Sequence, residues 1–119
     1  MKLADVITAP EHEGKEKHVP HIEAPAKVKA GERFEVKVHV GKETPHPNKL
    51  EHHIKWAMLF AKEEGDRPVV EVAKADFAPT FGEPITTFTV MLQKTSDLIA
   101  LEHCNIHGIW DNSVRVEVE

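Results

Sequence analysis

Nine histidines and a single cysteine in 119 residues are where this chain could do chemistry. Five of the histidines and the cysteine gather in three stretches: Glu16-Lys17-His18-Val19-Pro20, Pro45-His46-Pro47-Asn48-Lys49-Leu50-Glu51-His52-His53, and Cys104-Asn105-Ile106-His107-Gly108-Ile109-Trp110. Imidazole and thiolate are metal ligands, and one cysteine cannot form an internal disulfide. If the stretches converge, four histidines and one thiolate can grip one ion. That set is too large for structural zinc, which closes at four tetrahedral positions. It suits a redox metal of higher coordination with a position left for a small molecule. Iron is the natural candidate, because its thiolate complexes push electron density toward a bound dioxygen species. Lys17 adds a positive charge beside His18, on an anion's route to such a site.

The elements that must position these groups read as β. Glu32 to Val40 alternates, with Phe34, Val36, Val38 and Val40 on one face and Arg33, Glu35, Lys37 and His39 on the other. On this face His39 is a solvated side chain. Glu51 to Lys62 fits either period. It is taken as a strand because the runs 68–77, 85–92, 98–104 and 114–118 are short and β-like, divided by turn signals such as Gly65-Asp66, Gly82-Glu83-Pro84 and Asp111-Asn112. With Ile54, Trp56, Met58 and Phe60 on the core face, His52 points inward and His53 away. Residues 1–25, with Pro10, Pro20 and Pro25, read as an irregular arm that contributes to the metal site. The expectation is one all-β domain over 1–119, an antiparallel sandwich whose loops meet at one end.

Composition narrows the partners. Fifteen Lys plus Arg against twenty Asp plus Glu give a net charge of −5, which argues against nucleic acid. No 18-residue apolar run suggests a membrane helix, and Met1 to Asp5 lacks the apolar stretch of a secretory leader. The expected setting is cytoplasmic.

The three motifs, in this order, closely resemble the superoxide reductases, and more narrowly the one-iron neelaredoxin type related to the iron domain of desulfoferrodoxin. The resemblance runs from about residue 14 to the C-terminus. It implies an immunoglobulin-like β-sandwich and a mononuclear Fe²⁺/Fe³⁺ centre in which His18, His46, His52 and His107 are equatorial ligands and Cys104 is axial. It places the family's mobile glutamate, a sixth ligand, at Glu16 and its functional lysine at Lys17. The implied reaction is one-electron reduction of superoxide to hydrogen peroxide, with rubredoxin or a similar donor restoring the iron and a homotetramer as the assembly. Backbone N–H groups near Ile106 and His107 are expected to donate to the sulfur. Asn48 and Asn105 are expected to brace the loops, and Trp110 to pack near the site. The chain departs from the pattern at Lys49-Leu50, at Glu102-His103 and in a shorter stretch between Asp76 and Ile85. It has no second cysteine cluster for a rubredoxin-like centre.

Three rivals use parts of the same signal. A cupredoxin-like copper electron carrier needs two histidines, one thiolate and an axial methionine, yet no methionine follows Met91. A carrier module with a covalent group on Cys104 gives His18, His46 and His52 no purpose. A dismutase must also oxidise superoxide, whereas an axial thiolate favours reduction. His12, His21, His53 and His103 receive no role.

Overall fold

The computed structural model describes residues 1–7 and 17–119. After a short 3₁₀ turn at Leu3–Asp5 come eight strands: β1 (Pro20–Glu23), β2 (Lys27–Val28), β3 (Phe34–Val40), β4 (Ile54–Glu63), β5 (Val70–Asp76), β6 (Ile85–Val90), β7 (Ser96–Cys104) and β8 (Gly108–Val118). They form a three-stranded sheet, β1-β3-β6, and a five-stranded sheet, β2-β8-β7-β4-β5. All pairings are antiparallel except β2 with β8, which is parallel. This is the all-β sandwich expected from the alternation.

Strand β3 shows why the residues fold this way. Phe34, Val36, Val38 and Val40 are buried while Glu35 is exposed and Lys37 and His39 are half-buried. The opposing sheet contributes Ala57, Leu59 and Ala61 of β4, Leu98 and Ala100 of β7, and Val116 of β8. Removing a side chain the size of Leu59 or Leu98 from water stabilises by about 1.5–3 kcal/mol each. A smaller cluster of Val40, Ile54 and Cys104 joins the ends of β3, β4 and β7. The thiol therefore sits in an apolar setting where β3 and β7 finish and β4 begins.

Three expectations need correction. Pro20–Glu23, assigned to the irregular arm, is a strand. Pro20 stands first in an edge strand, where its missing N–H costs no ladder bond. In β4 the core face is not Trp56-Met58-Phe60. The pairing with β7 shifts register between Ile54 and Trp56, and this bulge reverses the alternation. Ile54 is buried, and beyond the bulge Ala57, Leu59 and Ala61 point inward while the larger side chains lie half-buried on the outer face. Finally, Asp111-Asn112 is no turn but lies within β8, opposite Leu101 and Ala100. The Asn112 amide donates to the Pro20 carbonyl at 3.2 Å and ties the two sheets together. Among the described residues, no helix is long and apolar enough to cross a membrane.

Candidate metal centre

Each stretch reaches the site by a different local device. Beyond β3, Gly41 adopts φ +84°, and the chain returns so closely that a Cβ there would stand 2.6 Å from the His46 nitrogen. His52 closes a tight turn with Lys49: the Lys49 N–H donates to the His52 carbonyl at 2.9 Å, and the His52 N–H donates back at 3.1 Å. Cys104 ends β7 and pairs with Gly108, the first residue of β8, so His107 occupies the connecting turn.

Two asparagines brace these loops, as expected. The Asn105 side chain accepts from the His53 N–H at 2.8 Å and donates to the Glu51 carbonyl at 3.0 Å. Its own backbone N–H donates to the His53 carbonyl at 3.1 Å. Asn48 accepts from the Thr80 N–H at 2.9 Å and donates to the Gly82 carbonyl at 3.3 Å. The 76–85 connection is thereby anchored to the loop that carries His46 and His52.

The ligand atoms of His18, His46, His52 and Cys104 all lie within 4.8 Å of one another. His107 completes a closed cycle of imidazoles. Ring centroids are 4.9 Å apart for His18–His46, 4.7 Å for His46–His52, 5.1 Å for His52–His107 and 4.8 Å for His107–His18, each pair edge-on at 61–79°. The Cys104 sulfur is 3.7 Å from His107 Nδ1. Five side chains from three distant stretches thus meet at one end of the sandwich.

The protonation states suit a metal. The His46 Nδ1–H donates to the Pro47 carbonyl at 2.7 Å, which leaves Nε2 as the lone-pair atom. His46 Nε2 and His52 Nε2 are buried without a hydrogen-bond partner. Orphaned buried nitrogens cost free energy unless something binds them, and a cation binds them well. Burial, reinforced by neighbouring imidazoles and by Lys17, pushes the His46 pKa from its ordinary 6.5 down to about 4. His52 is lowered by burial and then by His107, His18 and Lys17. Burial raises the Cys104 thiol, while the N–H groups of His107 and Ile106 favour the thiolate; the His107 N–H lies 3.4 Å from the sulfur. The expected donors are in place. A metal must supply the rest of the driving force for deprotonation.

The sign of one pH effect follows. His46 stays neutral in the fold down to about pH 4, whereas in the unfolded chain it protonates near its ordinary 6.5. Between those values the unfolded state binds more protons, so stability falls with falling pH; above 6.5 the contribution is constant. Thermal melts of the metal-free protein should therefore drop by several degrees from pH 7 to pH 4.5. His46→Gln should flatten part of that slope, and an equal slope in the variant counts against the assignment.

Lys17 is half-buried beside His18, and its charge is felt at His46, His52 and Cys104. Glu16 and His12 fall outside the described residues. His21 and His39 face one another across β1 and β3, the His53 Nδ1–H donates to the Lys49 carbonyl at 3.2 Å, and His103 lies edge-on to Trp56. All four stay outside the cluster. His39 is half-buried rather than fully solvated, and burial lowers its pKa.

Two further residues bear on the site. Glu102 is fully buried, and its charge raises the Cys104 pKa. The alternation of β7 signals this, since Leu98, Ala100, Glu102 and Cys104 share the inward parity. Gly41 bears on the site through its close approach to His46; its signal in the sequence is its place five residues before a proposed ligand.

With the geometry in place, comparison with known proteins is direct. The family model described as desulfoferrodoxin matches residues 10–113. The superoxide reductase of Thermococcus kodakarensis is 44% identical over 97% of this chain and 99% of its own. The neelaredoxin of Megalodesulfovibrio gigas is 35% identical over the whole of both chains. The solved structure of the superoxide reductase (neelaredoxin) from Ignicoccus hospitalis superposes with a TM-score of 0.92 at 40% identity, covering all of both chains.

Proposed function

Because the chain belongs to the desulfoferrodoxin family, we propose that its centre is that of a superoxide reductase. It reduces superoxide to hydrogen peroxide at one mononuclear iron. The observation that carries this reading is the convergence of four imidazoles and one thiol, with His46 Nε2 and His52 Nε2 buried and unbonded. A two-histidine copper set would leave two of the imidazoles idle.

His18, His46, His52, His107 and Cys104 are the proposed ligands, with Glu16 a further carboxylate ligand carried by the resemblance alone. Bound there, iron supplies the single electron that takes superoxide to the peroxide level. The chain's own residues do the rest. The Cys104 thiolate donates charge, tempered by the N–H groups of His107 and Ile106. The Pro47 carbonyl holds the His46 ring in the tautomer whose Nε2 is free. Lys17 draws the anion inward, and its Nζ can hold the water that delivers a proton to the product. A rubredoxin-type donor and a homotetramer belong to the same proposal and rest on the resemblance, and the setting proposed is cytoplasmic.

The test is iron analysis followed by stopped-flow reaction with superoxide. One iron per chain and one peroxide per superoxide, without dioxygen release, are expected. Release of half an equivalent of dioxygen would mark a dismutase instead. Lys17→Ala should slow the second-order step by about tenfold at low ionic strength while iron content stays unchanged, and the gap should narrow as salt rises. A salt-independent loss would remove steering from its role.

A further inference from the structure

We propose that Trp110 is a positioning residue of the metal centre, its indole face holding His18 and its Nε1–H holding the turn that carries His107. The inference rests on the iron-centre reading and concerns how the site keeps its shape. Trp110 is 6% exposed and lies near the start of β8, opposite Glu102. Its ring stacks on His18 with centroids 5.0 Å apart and planes 12° from parallel. His18 meets His46 and His107 edge-on, at 71° and 65°. The indole is thus the flat wall against which the His18 ring lies.

Its other contact is directional too. Trp110 Nε1–H donates to the His107 carbonyl at 3.3 Å. That carbonyl belongs to the turn whose His107 N–H reaches the Cys104 sulfur at 3.4 Å. One side chain on a strand of eleven residues therefore holds both segments at once. Residues 17–19 lie outside any strand and deliver His18, while the 104–108 turn delivers the sulfur and His107. A residue that merely filled space would need neither a parallel face nor an aimed N–H. Rotating the His18 ring away from the cluster would drive its edge into the indole. Stacking thus limits the ring's freedom before a metal arrives, and preorganised ligands hold a metal longer.

The experiment uses Trp110 as its own reporter. The other tryptophan, Trp56, lies against His103 and Lys74, so Trp56→Phe leaves Trp110 as the sole indole emitter. Anaerobic titration of that metal-free protein with Fe²⁺, and separately with Co²⁺, should quench emission several-fold and saturate at one metal per chain. Release of bound metal to a chelator should then be at least tenfold faster in Trp110→Leu than in wild type. Trp110→Phe, which keeps a ring on His18 but loses the N–H, should stay within about threefold of wild type and shift the thiolate absorption band. If Trp110→Leu does not fold, the emission titration and Trp110→Phe still decide the matter. Stoichiometric binding without quenching, or equal release from Trp110→Leu and wild type, overturns the inference alone. A wild-type chain that binds no metal overturns the iron reading as well.

Discussion

Cys104→Ser should abolish the sulfur-to-iron charge-transfer absorption and lower superoxide reduction by about 100-fold or more, with the fold intact. Serine is close in size, and the buried position lies in the small cluster of Val40 and Ile54, so the metal-free melting temperature should hardly move. The chemistry changes far more. Burial already lifts the thiol pKa, and the His107 and Ile106 N–H groups and Lys17 work against that rise. A buried thiol still ionises when a metal binds it. A serine hydroxyl begins far higher and in the same apolar setting. It would remain protonated or bind as a hard oxygen that pushes much less charge onto iron. Outer-shell changes at metal sites cost 10–100-fold, so loss of the sulfur itself should cost at least the upper figure. Absorption spectra, iron content and stopped-flow rates measured together decide it. Retained activity at full iron occupancy would show that the thiolate is dispensable.

How much of this was legible beforehand depends on the kind of signal. Strand β3 could be read directly because one face is buried and the other wet, so its hydrophobic alternation is the structure. The histidine and cysteine stretches were legible because metal chemistry accepts few residue types, and their order and spacing matched a family. Strand β4 was half legible. Its type was right, yet its facing reversed, because a bulge adds a residue to one strand without leaving a mark in composition. The inference that His52 turns inward survived because His52 and Ile54 precede the bulge. Asp111 and Asn112 misled for a related reason. They are turn formers in isolation, but nine consecutive pairings from Ser96–Val116 to Cys104–Gly108 outweigh a local preference. Trp110 was legible as packing near the site, but its stack on His18 was not, since it joins residues 92 positions apart through packing alone. Loop braces were readable in type only: asparagine announces a backbone hydrogen bond, but which carbonyl it meets depends on the other loop.

Gly41→Ala should damage the metal site more than any other single glycine substitution among those described, and the reason is steric. Gly31, Gly41, Gly65 and Gly108 all have positive φ, so an alanine at any of them carries a conformational cost of about 1–2 kcal/mol. At Gly65 and Gly108 the added methyl meets nothing within 4 Å, and at Gly31 it meets only a glutamine side-chain nitrogen at 3.6 Å. At Gly41 it would stand 2.6 Å from the His46 nitrogen, 3.1 Å from the Thr44 carbonyl oxygen and 3.2 Å from His46 Cβ. These are atoms of the loop that presents His46, and backbone cannot swing aside as a side-chain tip can. The loop must move, taking the His46 ring and its Nδ1–H···Pro47 bond with it. A displacement near 1 Å at a ligand is expected to weaken metal binding by about 10–100-fold, comparable to losing an outer-shell partner. Gly65→Ala is the matched control. It should lose similar backbone free energy, as read by chemical denaturation of the metal-free protein, yet bind iron as wild type does. Equal iron affinity in the two variants would mean that the approach of Gly41 to His46 does not shape the site.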